Sequence, residues 1–159
     1  MRLLAALAVC ALAAAPAPQA QVPEGTQSLT VSGGLGLRPT RALVGARYGY
    51  FLTPRLEAGP SLGLGYQRFR GEGVGVLSGG LGGRYWLGAP GLGVAPFVGA
   101  AADAVFLTGE ANDYAVFEVS VGARAHLGRG LAFTPTAFVQ VTEFGDVGTG
   151  VRLGACAFF

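Results

Sequence analysis

The side chains with chemistry to offer are few, and arginine dominates them. The chain has eleven basic residues, all arginine, against nine acids and one histidine, His126. Arg47, Arg84, Arg124 and Arg152 recur in similar local contexts, with Glu57, Asp103, Glu118 and the amide Gln140 available as partners. Guanidiniums and carboxylates in one enclosed space form short, strong ion pairs. An excess of guanidiniums along a passage would instead favour anions. His126 could act as a metal ligand only with partners, and there is no second histidine. As a base it would need a nearby nucleophile, yet it is followed by Leu127 and Gly128. Cys10 and Cys156 are the only thiols. Cys156 reads as a small buried apolar residue. These residues predict no catalytic group, no metal and no cofactor. Two uses remain for the charges, a structural network filling an interior or a narrow anion-preferring constriction.

Whatever positions these groups must do so in a very apolar chain. Hydrophobic residues make up 51% of the sequence and charged residues 13%, about half the charge of an ordinary soluble domain. Net charge is +2, with no basic patch for nucleic acid. The one long apolar run is at the N-terminus. Arg2, the apolar Leu3–Ala15 and the small residues up to Ala20 predict a cleaved export signal over 1–20. Cys10 lies inside that apolar run, which makes a lipoprotein reading weak. A short segment, 21–27, would precede the folded domain, 28–159.

After Gln21 the pattern alternates with period two, the signature of strands. Eight stretches follow, at 28–38, 41–52, 55–68, 74–87, 92–106, 114–128, 131–143 and 148–159, separated by Gly, Pro, Asn and Asp. "VGARYGYF" (44–51) recurs as "LGGRYWLG" (81–88) and "VGARAHLG" (121–128). Each copy leads through a turn into Leu-x-x-x-Pro, so the repeat is a two-strand hairpin. Pro60, Pro96 and Pro135 lack a ladder donor and are expected near one rim.

Separating the two faces of each strand decides the architecture. One face, for example Leu62, Leu64, Tyr66 on one strand and Val119, Val121, Ala123 on another, carries no charge. The other holds Arg47, Glu57, Arg84, Asp103, Glu118, Arg124, His126, Gln140 and Arg152 among Ser, Thr and Trp86, with glycine expected to fill most of what remains. Soluble barrels and sandwiches place a charged face outward. A membrane barrel inverts the rule, and eight strands leave an interior just wide enough for side chains. The expected fold is all-β: an eight-stranded antiparallel up-and-down transmembrane β-barrel, with both termini in the periplasm. Tyr48, Tyr50, Tyr85, Phe133 and Phe159 would form one aromatic girdle, and Tyr66, Phe106, Phe117 and Phe144 the other.

The last residues, Arg152-Leu-Gly154-Ala-Cys-Ala157-Phe-Phe159, resemble the terminal-strand signal read by the outer-membrane barrel assembly machinery, with Arg152, Gly154, Ala157 and Phe159 at its defined positions. Together with "YFLTPRLEAGPSLGLGY" (50–66) and "VAPFVGAAAD" (94–103), this ending makes residues 26–159 resemble the family of small single-domain outer-membrane β-barrels. The resemblance implies an outer-membrane location, lipid around the barrel, a monomer and no nucleic-acid partner. The family's members include structural barrels, narrow pores and a few lipid-modifying enzymes, so it supplies no catalytic residue. Lipid A deacylase barrels use a His-x-Ser pair on the lipid face, which His126 does not match. The expected role is structural, without catalysis; a narrow anion-preferring channel is the alternative, and a lipid-modifying enzyme the remote one. Strand register further predicts Leu127 opposite Leu131, Glu118 opposite Gln140, Gln140 opposite Arg152, and Glu57 diagonal to Arg84.

Overall fold

The computed structural model describes residues 22–38, 40–69, 72–88, 93–108, 113–128 and 130–159; the expected export signal lies outside the described residues. Eight strands form, β1 Gln27–Arg38, β2 Thr40–Thr53, β3 Leu56–Phe69, β4 Glu72–Trp86, β5 Val94–Leu107, β6 Tyr114–Gly128, β7 Leu131–Thr142 and β8 Val147–Phe158. Each pairs antiparallel with its sequence neighbours, and β1 pairs with β8 to close the barrel. Closure leaves no strand edge without a partner. The start of β1 and the ends of β2, β4, β6 and β8 lie at one rim, here the terminal rim. The ends of β1, β3, β5 and β7 define the loop rim.

The period-two pattern sets the faces. Leu62, Leu64, Leu81, Val119 and Leu127 point outward with 64–76% of their surface exposed. An apolar belt this continuous would be a liability in water and matches a hydrocarbon surround. Exposed tyrosines and phenylalanines lie towards both rims, Tyr48, Tyr50 and Tyr85 at one and Tyr66, Phe106 and Phe117 at the other.

The inward face departs from expectation. Besides glycine it carries Phe51, Phe97, Phe138, Val76, Val105 and Val116, all buried. Glycines on neighbouring strands make the room. A Cβ at Gly122 would sit 2.6 Å from the Phe97 ring. Beside Gly122 and Gly150 the interior is therefore filled by the Phe97 and Phe138 rings.

Two register expectations are corrected. Gly128, not Leu127, faces Leu131, because a bulge between His126 and Gly128 leaves Leu127 out of the ladder. Gln140 faces Gly148, and Arg152 faces Thr136. The β7–β8 turn is tighter than assumed: pairing runs to Val141 and Val147, Gly145 has φ +86°, and Thr142 Oγ1 accepts from the Asp146 N–H. Glu118 does face Gln140. The prolines sit inside the strands in the terminal half. The β2–β3 ladder skips Gly59 and Pro60, and the β6–β7 ladder skips Thr134 and Pro135, as expected of a residue without a donor.

Candidate functional site in the barrel lumen

The lumen divides into three levels. At the terminal rim Arg124 is fully buried, and its Nη2 donates to the Glu57 carboxylate at 3.2 Å and 3.4 Å. Glu57 also accepts from Ser28 Oγ at 2.5 Å. The guanidinium lies 4.3 Å from the Trp86 ring centre and 4.9 Å from that of Phe158. A desolvated cation between aromatic faces gains about 2 kcal/mol or more from such contacts. Phe51, Phe97 and Ala95 pack around Trp86, and Val22 of the N-terminal segment completes the cluster from below. Backbone bonds hold that segment, with the Gly25 N–H donating to the Phe51 carbonyl and the Phe51 N–H to that of Thr26. Gly49 is required here, since a Cβ would run into the Glu57 carboxylate and the Ser28 hydroxyl.

The expected diagonal contact of Glu57 with Arg84 is replaced by a different one. The two residues are direct ladder partners, but Glu57 reaches across the lumen from β3 to β6. Arg84 instead lies over Phe97, 5.0 Å from its ring centre. Ladder position fixes the Cα atoms; a long side chain in a narrow cylinder can answer to a strand on the opposite wall. His126 faces inward, stacked on Phe158 at 5.2 Å.

Towards the loop rim, Glu118 accepts from Gln140 Nε2 at 2.8 Å and pairs directly with Arg152. Arg152 also lies over Phe138, 4.4 Å from the ring centre. These three side chains meet although Arg152 is not opposite Gln140, because the guanidinium spans the offset. Val76, Val105 and Val116 form a second buried cluster, flanked by Leu43, Leu107 and Tyr114. Tyr114 donates to Gln67 Oε1 at 3.1 Å.

Between these levels lies a chamber of about 100 Å³, walled by both polar and apolar side chains. Asp103 is on its wall and accepts from Ser61 Oγ at 2.9 Å. Arg41, Arg47, Arg84 and Arg152 also line it. Arg41 is buried in the lumen, a position sequence reasoning missed. Six residues before Arg47 on one strand, it shares that residue's face by parity alone. Among the described residues no three His, Cys, Asp or Glu side chains gather as a metal site. Of the terminal-strand residues, Arg152 faces the lumen, Gly154 is buried against Thr30, Ala157 is half-buried, and Phe159 is exposed at the terminal rim.

Solved structures of similar shape include small outer-membrane β-barrels. The N-terminal β-barrel domain of OprF from Pseudomonas aeruginosa superposes with a TM-score of 0.69 at 18% identity, over 87% of this chain and all of that domain. Neisserial surface protein A gives 0.60 at 11% identity, over 84% of this chain and 95% of that one. The fold is that of the small outer-membrane β-barrels. A third such barrel, the outer-membrane enzyme PagL, gives 0.54 at 16% identity, over 82% of this chain and 98% of that one. No family model and no curated protein sequence matches the chain. With this transmembrane fold, the apolar exterior is the lipid face, and Arg124, Glu57 and their neighbours lie within a cylinder surrounded by hydrocarbon.

Proposed function

We propose that this chain is an integral protein of a bacterial outer membrane whose lumen is stopped, and that it serves the envelope structurally, without catalysis. The observation that carries this reading is the terminal-rim plug. Arg124 and Glu57 are 0% and 2% exposed beneath Trp86 and Phe158, so an ion passing that level would have to displace a desolvated ion pair. Export by the 1–20 signal, insertion by the barrel assembly machinery through the Arg152–Phe159 strand, and a monomer in lipid complete the proposal. A narrow anion-preferring conduit is the second reading, favoured by the arginine-lined chamber. A lipid-modifying enzyme gains least support, since His126 is stacked inside the barrel and not on the lipid face.

Planar-bilayer recording separates the first two. The plugged barrel is expected to be silent, and a steady anion-selective current would overturn it. The membrane assignment has its own test. Leu62→Arg on the exposed face of β3, midway along that strand and opposite the middles of β2 and β4, is expected to cost about 2–4 kcal/mol, as at a bilayer midplane. Wild-type folding of that variant in vesicles would contradict the lipid face.

A further inference from the structure

We infer that the central chamber holds a small inorganic anion, a halide or a single phosphate. The first argument is charge. Among the described residues, Arg41, Arg47, Arg84, Arg124 and Arg152 face the lumen against Glu57, Asp103 and Glu118, two more guanidiniums than carboxylates. Arg124 is matched by Glu57 and Arg152 by Glu118. Asp103 remains to answer Arg41, Arg47 and Arg84 among the described residues. Uncompensated charge inside a hydrocarbon-clad cylinder is costly, and arginine cannot shed its proton to escape that cost.

The second argument is unmet donors. Arg84 Nη1, Thr30 Oγ1 and Thr134 Oγ1 are buried and have no hydrogen-bond partner among the described residues. All three side chains line the chamber and are at least nine-tenths buried. A hydroxyl can donate or accept, whereas a guanidinium only donates. Arg47 joins them. Its Nη2 lies over Gly82, where a Cβ would collide with it, and Arg84 is the next inward residue on β4. Two guanidiniums brought to one stretch of wall repel each other unless an anion lies with them. A chamber of about 100 Å³ has room for several waters, and so for a halide or phosphate with some of its hydration. The inference needs the fold and this chamber, not a silent lumen. A conducting barrel could hold the same anion, so bilayer current does not decide it.

The test refolds the full mature chain into zwitterionic vesicles at constant ionic strength. Chloride, inorganic phosphate and the bulky gluconate are compared by urea unfolding. A fitting anion is expected to stabilise saturably over gluconate. At a hundred times its dissociation constant it should lower the unfolded-to-folded ratio about a hundredfold. Chloride and phosphate together identify which member of the class fits. Arg47→Gln, Arg84→Gln and the doubly substituted Thr30→Val, Thr134→Val chain should each lose that dependence, and Arg55→Gln at the exposed β2–β3 turn should keep it. Equal stability in all three anions would overturn the inference, as would dependence that survives Arg84→Gln. If the arginine variants do not refold, crystals of the unaltered chain grown in bromide, and others grown in phosphate, decide. Anomalous bromide density or tetrahedral phosphate density in the chamber supports the site, and water alone there in both crystals refutes it.

Discussion

At the terminal rim the lumen holds Arg124 and Glu57 packed among Trp86, Phe51, Phe97 and Phe158. Towards the loop rim it holds Val76, Val105 and Val116, with the Glu118–Arg152 pair beneath them. Both ends use one ion pair and one apolar cluster, but they combine them differently. A ring lies on the guanidinium in both places, but at the terminal rim two rings cover it and the pair is 0% and 2% exposed. In the loop half Arg152 remains 31% exposed and Glu118 5%. The same chemical pair is thus desolvated in one place and partly wet in the other. Burying a pair makes each member dependent on its partner, because the survivor of a deletion is left charged and dry.

This contrast can be broken by substitution. Arg124→Ala should be the most damaging, costing about 3–5 kcal/mol, with part recovered when Glu57→Ala is added. Urea unfolding of the four members of that cycle measures it, and strictly additive losses would mean the pair is not coupled. Val116→Ala, which opens a void at the loop end without stranding a charge, should cost about 1–2 kcal/mol. Arg152→Ala should cost least, about 1 kcal/mol, since water and Gln140 remain to satisfy Glu118. A loss at Arg152 equal to that at Arg124 would erase the distinction between the ends.

Much of this was legible in the residues, and the illegible parts have physical causes. Alternation fixes which side of a strand each residue takes, so the lipid face from Leu29 to Phe159 and the inward charges could be read directly. The same parity turns Phe51, Phe97 and Arg41 inward, although the two apolar rings run against the polar character of that face. The Glu57–Arg124 contact was beyond such reasoning. The two residues lie 67 positions apart on strands that are not neighbours, and ladder register says little about what meets across a lumen. Turn length caused the remaining miss. A tight β7–β8 connection moves every partner of β8, so Arg152 lies opposite Thr136 and reaches Glu118 by its length alone.

The terminal-rim cluster also bears on the order in which the molecule assembles. Its parts come from all round the sheet: Ser28 from β1, Glu57 from β3, Trp86 from β4, Arg124 from β6 and Phe158 from β8. No hairpin contains a guanidinium, its counter-charge and both covering rings. A sheet grown from β3 to β6 can already bring Glu57, Trp86 and Arg124 together, but Ser28 and Phe158 join them only when the first and last strands zip together. Stabilisation completed at that seam favours the closed barrel over half-formed intermediates.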